Sequence, residues 1–374
     1  MKALRLLSLL AGSLSRRRYK IGQPRYLTYL VTFACNARCL MCDSWKKPSP
    51  EDLSLAEIDR IFRQLPALDM VRLSGGEPFV RPDLLEIAHL AQDVLQPFRL
   101  HVTTNGFLTD RIVRFCEARR KSTPLQLLVS VDGLESKHNE VRGRDTAWST
   151  ATATLKALAA RTRELNLTLG VNQTVVDAAG AGQYRRLNEF LKPLGIRHHV
   201  VMAYDASATY SLEAEVEIAP KAIGAFSTFG SFPPAAIARL WDEVEEDVRA
   251  WPLLDRLAKR YYIRGIRNRV LHGDGTPNPP CVALNAHLRI LPNGDVPTCQ
   301  FNTRMVGSFR RQSFHEIWAS QAAHRQRDWV RRCPGCWAEC EVLPNAVYTG
   351  DLFRPDAPGS PAHTSGIPVP LRPA

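Results

Sequence analysis

The sequence predicts an α/β chain: a partial (β/α)6 TIM-like barrel followed by a small α+β domain. Three observations carry that expectation. From Tyr26 onward, short β-rich apolar runs alternate with longer stretches whose apolar residues recur at helical spacing, as parallel strands joined by crossover helices require. Each distinctive motif directly follows a strand, so all share one rim, where a parallel barrel builds its site. After residue 205 the rhythm stops, and from about 276 a cysteine-bearing module takes over.

Taken in order, residues 26–33 read as the first strand. Ser54 opens a helix with a capping box, because Glu57 stands three residues on, and Leu55, Ile58, Ile61, Phe62 and Leu65 give that helix one apolar face. Strands are expected at 70–73, 98–103, 125–131, 167–175 and 198–202, and helices at 82–95, 109–119, 147–162 and 183–191. Residues 205–280 hold a Gly, Ser and Pro-containing stretch, an amphipathic helix over about 236–251, and a basic run, 256–269, with Tyr261 and Tyr262. Residues 288–291 and 296–298 flank Asn293-Gly294, a hairpin signal. The chain divides into an extension (1–24), the barrel (25–205), a helical linker on the substrate side (206–275), the cysteine module (276–348) and a Pro-rich flexible tail (349–374).

Composition sets the class. Of 374 residues 45% are apolar and 23% charged, the balance of a globular protein able to bury a core. No apolar run approaches the roughly 20 residues of a membrane-spanning helix. The net charge, 49 basic against 37 acidic residues or +12, favours contact with anions without selecting one. Lys2 and Arg5 before an apolar stretch imitate a signal peptide, but Ser8, Gly12 and Ser13 interrupt it and Arg16, Arg17 and Arg18 follow; a weak peripheral contact with an anionic membrane is the functional reading of that segment.

Eight of the nine cysteines fall in two clusters, at 35, 39 and 42 and at 281, 299, 333, 336 and 340. Cys116 stands alone inside a helical pattern as a small buried hydrophobe. Three thiols within eight residues suit neither a disulfide framework nor a structural zinc site, which wants four ligands. They suit an iron-sulfur cluster with one iron left open, in a reducing, cytoplasmic setting.

Cys35-x3-Cys39-x2-Cys42 after the first strand, Gly75-Gly76-Glu77-Pro78 after the second, and Ser130-Val131-Asp132-Gly133 with Arg142-Gly143 after the fourth together resemble the radical S-adenosylmethionine (SAM) superfamily. The resemblance implies that Cys35, Cys39 and Cys42 bind three irons of a 4Fe-4S cluster while SAM chelates the fourth. Gly75 and Gly76 then bring backbone close to the methionine moiety, and Glu77 accepts its ammonium group. Ser130 and Arg142 match positions that contact the cofactor, Asn105 and Asn172 are further candidates, and Met41 replaces the usual aromatic residue beside adenine. The implied chemistry is reductive cleavage of SAM to a 5′-deoxyadenosyl radical that abstracts hydrogen from the substrate.

The second set, with Gly294 five positions before Cys299, resembles a SPASM or shortened twitch domain holding one auxiliary 4Fe-4S cluster. The match implies Cys281, Cys299, Cys333 and Cys336 as ligands, with Cys340 an alternative fourth ligand or a bystander. Gln300 stands where related sulfatase-maturating enzymes carry a basic aspartate, which disfavours formylglycine formation and leaves the catalytic base unassigned. The ending Arg372-Pro373-Ala374 disfavours the molybdopterin-precursor cyclases. The expected activity is modification of a peptide or specialised small molecule by oxidation, cross-linking or related radical chemistry, with a flavodoxin or ferredoxin as reducing partner. The competing expectation is a metal-stabilised nucleic-acid-binding protein that uses 256–269 for contact.

Overall fold

Strand pairing in chain order dominates the architecture. The computed structural model describes residues 22–47, 51–203, 232–267, 271, 279–333 and 336–353. Six strands, β1 (Tyr26–Leu30), β2 (Met70–Ser74), β3 (Arg99–Thr104), β4 (Leu125–Ser130), β5 (Leu167–Val175) and β6 (Arg197–Met202), lie side by side, and β7 (His287–Ile290) joins at β1. Every pairing in this sheet is parallel. The N-terminal extension up to residue 21, the stretch 204–231 and the tail from 354 lie outside the described residues.

The helices between strands follow from local signals. α1 (Leu55–Phe62) begins at Ser54, whose hydroxyl accepts from the Glu57 amide while the Glu57 carboxylate accepts from the Ser54 amide, so the capping box is formed in full. α2 (Leu84–Leu90), α3 (Thr109–Ala118), α5 (Ala147–Ala159) and α7 (Tyr184–Leu191) occupy the stretches where helical periodicity was read. Two helices carry no such periodicity: α4 (Glu135–Arg142) and the short α6 (Ala178–Gly182). The buried side chains of α4 include Lys137, His138 and Arg142, so polar contacts rather than an apolar stripe seat it.

Period-two alternation sorts each strand's side chains between two destinations. Leu27, Val71, Leu100, Leu127 and Leu169 point outward into the helix-covered core. Thr28, Arg72, His101 and Gln126 point inward and line a central cavity.

The C-terminal part departs from expectation in its strand pairing. The Asn293-Gly294 turn exists: Gly294 takes φ +86°, its amide donates to the Leu291 carbonyl, and the Leu291 amide donates to Asp295. Its flanks do not form a hairpin ladder. β7 pairs with β1, while β8 (Asp295–Cys299) pairs antiparallel with β9 (Asn302–Ser308). The reason is burial: all four β7 residues are buried, so the segment gains more by completing the barrel sheet than by pairing at the surface. α8 (Pro234–Val248) and α9 (Leu253–Arg267) pack together, and α10 (Phe314–Trp318), α11 (Gln321–Arg332) and α12 (Glu339–Thr349) complete the described chain. Among the described residues no helix is long and apolar enough to cross a membrane.

Candidate active site

The loop after β1 is clamped from two sides. The Gly76 amide donates to Thr32 and the Glu77 amide to Ala34, fastening the β2 rim turn to the segment entering Cys35. On the other side the Arg38 and Leu40 amides donate to the Arg142 and Val141 carbonyls at the end of α4. Glycine is required at both clamps. A Cβ on Gly76 would stand 2.3 Å from the Ala34 carbonyl oxygen, and one on Gly143 would stand 2.5 Å from that of Arg38. Gly75 itself sits at φ +145°, open to glycine alone at low cost.

This clamp presents Cys35, Cys39 and Cys42 to one cavity of about 580 Å3, which Gly75, Gly76 and Glu77 also line. Each sulfur has an N–H donor: Ala37 on Cys35 and Ser44 on Cys42, both at 3.4 Å, and Arg142 on Cys39 at 3.5 Å. Burial pushes the Cys35 thiol up to about 12, that of Cys42 up to about 11, and that of Cys39 upward against the pull of Arg142. Thiolates here therefore need adjacent positive charge, which iron supplies. The donor set, its N–H donors and the side-chain-free turn opposite fit a cluster and its ligand.

Glu77 is fully enclosed. Its Oε1 accepts from the Thr104 hydroxyl at 2.8 Å and the Phe79 amide at 3.1 Å, and its Oε2 accepts from the Asn105 amide at 2.7 Å. Burial raises its carboxyl to about 7 despite those donors. Arg142 forks onto Asp132, Nε to Oδ2 at 2.5 Å and Nη2 to Oδ1 at 2.9 Å, while Asp132 Oδ1 also accepts from the Thr174 amide. Ser130 and Asn172 are register neighbours on β4 and β5, and both line the cavity. Met41 lines it too, packed near Val141, Val176 and Ala203. Asn105 lines it with its side chain engaged locally, donating to Asn36 and accepting from the Phe107 amide. Sequence reasoning missed Asp132 as the residue that orients Arg142, although it lies inside the quoted motif.

The second cysteine set divides. Cys281, Cys299, Cys333 and Cys336 are coupled by charge: Cys281 to Cys299 and Cys333, and Cys336 to Cys281 and Cys299. Cys340 instead lines the central cavity and donates to the Gln300 side-chain oxygen at 3.0 Å. Its charged neighbours are Glu341, Arg72, Arg289 and Glu339. Among the described residues no three His, Cys, Asp or Glu side chains gather tightly enough for a lone metal ion. Structural zinc needs four ligands within about 2.3 Å of one point, whereas a cuboidal cluster spreads its thiolates over separate corners.

Within the basic run 256–269, of which 268 and 269 lie outside the described residues, Lys259 is buried, Arg256, Arg264 and Arg267 are half-buried and Arg260 is exposed. Lys259 Nζ is buried against Glu339 at 2.8 Å and the Val200 carbonyl at 3.1 Å. Arg267 bonds Asp242 at 2.7 Å, and Arg264 lies over the Tyr261 ring.

Comparisons with known proteins bear on the same residues. Residues 29–178 match the family described as Radical SAM superfamily, and residues 281–340 match SPASM, an iron-sulfur cluster-binding domain. The chain carries a radical SAM domain followed by a C-terminal SPASM domain, and the two imply SAM, a SAM-binding 4Fe-4S cluster and an auxiliary 4Fe-4S cluster as cofactors. A 118-residue stretch is 37% identical to GTP 3′,8-cyclase of Actinobacillus pleuropneumoniae, covering 30% of this chain and 34% of that enzyme. The match thus spans about a third of that relative's length. AdoMet-dependent heme synthase of Methanosarcina barkeri is 25% identical over 88% of this chain and 95% of its own. Among solved structures, Streptococcus suis SuiB bound to precursor peptide SuiA superposes with TM-score 0.55 at 15% identity, over 86% of this chain and 70% of that one. anSMEcpe with bound AdoMet gives 0.55 at 14% identity, over 88% and 96%. These two share the fold.

Proposed function

We propose that this radical SAM enzyme holds its SAM-binding cluster at Cys35, Cys39 and Cys42, binds SAM against Gly75, Gly76 and Glu77, and modifies a peptide or specialised small molecule in the cavity. The observation that carries this reading is the single cavity shared by the three thiols, the glycine turn and the buried carboxylate. Bound there, cluster and SAM supply one-electron cleavage of a carbon–sulfur bond and hydrogen abstraction from the substrate.

The chain's own residues do the rest. N–H donors from Ala37, Ser44 and Arg142 stabilise negative charge on the three sulfurs. Glu77 Oε1 and Oε2, held by three donors, accept the SAM ammonium without moving. Ser130, Asn172 and Met41 form the facing wall, and Arg142 is aimed by Asp132. Cys281, Cys299, Cys333 and Cys336 hold the auxiliary cluster, leaving Cys340 on the cavity side. The same fold holds a peptide in SuiB, which supports the peptide substrate. The domain divisions at 25–205 and 276–348, a flavodoxin or ferredoxin as reductant and a cytoplasmic setting belong to this proposal.

The test is anaerobic reconstitution with iron and sulfide, then dithionite and SAM, with 5′-deoxyadenosine quantified. The wild-type chain forms it and the Cys35→Ala, Cys39→Ala and Cys42→Ala variants do not. Glu77→Gln weakens SAM binding about tenfold to a hundredfold, the worth of a charge-assisted hydrogen bond. A reconstituted wild-type enzyme that leaves SAM intact would overturn the proposal.

A further inference from the structure

The sheet gives the barrel two unlike ends. Its strands all run parallel, so Tyr26, Met70, Arg99 and Arg197, the first residues of β1, β2, β3 and β6, mark the end away from the cysteine triad. The cavity extends to that end, where these four side chains line it. The described chain also begins there: Trp318 donates its indole N–H to the Gly22 carbonyl at 2.8 Å, and Arg25 pairs with Asp69, the residue before β2, at 2.7 Å. α9 starts at the same end, since Asp255 in its first turn pairs with Arg197 at 2.6 Å and the Arg197 guanidinium lies over the Trp251 ring.

α9 buries one side and leaves the other uncovered. Lys259, Tyr262, Ile263 and Ile266 are at most 1% exposed. On the opposite side Leu253, Arg256, Leu257 and Arg260 recur at three- and four-residue spacing, with Leu254 beside them. Leu253, Leu254 and Leu257 are 59%, 65% and 36% exposed, whereas the large apolar side chains exposed elsewhere among the described residues, Leu40, Met305 and Phe353, stand singly. Scattered apolar residues are ordinary on a surface, but three within five residues form an uncovered apolar patch. Basic side chains edge it. Arg249 is exposed and Arg256 half-buried, and among the described residues neither pairs with a carboxylate; Arg256 donates to the Arg249 carbonyl at 3.0 Å. Arg260 reaches Glu245 at 3.6 Å. Glu243, Glu246 and Asp247 of α8 are engaged by α7, the first two through Arg185 and the third through Tyr184 and Asn188.

We infer that this end of the barrel docks on an anionic membrane, with Leu253, Leu254 and Leu257 entering the interface and Arg249 and Arg256 meeting lipid phosphates. An apolar cluster edged by arginines is what an interfacial helix presents, and a guanidinium bonds phosphate in two-point fashion. Two further observations favour lipid over a protein partner. The sequence before Gly22 carries Leu4, Leu7, Leu10 and Leu14 with Arg16, Arg17 and Arg18, a second apolar and basic segment, and it joins the described chain at this same end. Stable anchoring at a membrane takes two signals rather than one. The chain as a whole carries a net charge of +12, which an anionic leaflet attracts. Docking of this kind brings the strand-start end of the cavity to the lipid surface.

Flotation of the full-length, reconstituted enzyme tests this, with vesicles of phosphatidylcholine alone and of phosphatidylcholine mixed with phosphatidylglycerol. The enzyme floats with the mixed vesicles and not with the neutral ones, and raised salt weakens the binding. Leu253→Gln, Leu254→Gln and Leu257→Gln together weaken it about tenfold or more, because three leucines no longer leave water. Leu254→Gln alone, at the most exposed position, gives a smaller loss in the same direction. Arg249→Gln with Arg256→Gln weakens binding and flattens its salt dependence. Melting temperatures at the wild-type value show that these variants are folded. Four results each overturn the inference: the enzyme ignores the mixed vesicles; the folded leucine variants float like wild type; flotation is abolished only by Arg16→Gln, Arg17→Gln and Arg18→Gln together; or sedimentation shows a dimer that the triple leucine variant splits, which makes the patch a contact between copies.

Discussion

His198 lies flat on Tyr184, ring centroids 4.6 Å apart, with both ring nitrogens buried and without a hydrogen-bond partner among the described residues. Burial, reinforced by Lys259, draws its pKa from 6.5 down to about 3. The folded state therefore requires the neutral ring, whereas an unfolded chain protonates it freely near pH 6.5. This contribution to stability is complete above pH 6.5 and is lost as pH falls toward 3, at up to about 1.4 kcal/mol per pH unit. His198→Phe keeps the stacking and removes the titration, so its denaturation midpoint should fall less steeply between pH 6.5 and 5 than that of wild type. Identical slopes would refute this account. At this scale the local motifs were the legible ones, since cysteine spacing and Gly75-Gly76-Glu77 need no partner to be recognised. The pleat separates the neighbouring histidines, sending His198 to the core and His199 to the cavity. Gln300 with Cys340, or Arg72 and Arg289 on either side of Thr28, was not legible, because those residues are brought together only by folding.

Among the elements, the cysteine loop illustrates how short motifs depend on one another. The Gly76 position faces backbone, not a flexible side chain, so an added Cβ has nothing that can yield cheaply. Gly76→Ala is expected to displace the segment entering Cys35, cutting iron retention at the first site and lowering 5′-deoxyadenosine formation about a hundredfold, the scale of a misplacement near 1 Å. Iron content by chemical assay and product by chromatography check this; a variant with full iron and full turnover would show that the turn tolerates a side chain. The barrel strands, most of the helices between them and α8 could be read from period and capping, whereas α9, α11 and α12 were not. α4 could not, since Glu135–Arg142 buries Lys137 against Asp177 and Arg142 against Asp132, contacts invisible to apolar periodicity. The partner of β7 was equally hidden, because a turn signal at Asn293-Gly294 specifies the bend and not the ladder on either side.

For the whole molecule, α9 joins β7 in fastening the C-terminal domain to the barrel. Trp337, next to Cys336, donates its indole N–H to the Tyr262 carbonyl at 2.9 Å and stacks on Tyr261. Its ring lies so close to α9 that a Cβ on Gly265 would meet it at 1.8 Å. Replacing a helical glycine with alanine normally stabilises by about 1 kcal/mol. Here the clash reverses the sign, and Gly265→Ala should destabilise by about 1–3 kcal/mol. Because the displaced ring adjoins Cys336, the auxiliary cluster should be depleted while the SAM-binding cluster persists, measured by thermal unfolding together with iron content and low-temperature magnetic resonance. A raised melting temperature with both clusters intact would contradict it.

β7 gives the two cysteine clusters a shared frame. The strand that leads into Cys35 bonds along one margin to β2 and along the other to a segment lying six residues beyond Cys281. The distal half is thus a stave of the same cask, not an appendage hung beside it. Any slippage of that stave is transmitted, amide by amide, to the lip where the first sulfur emerges.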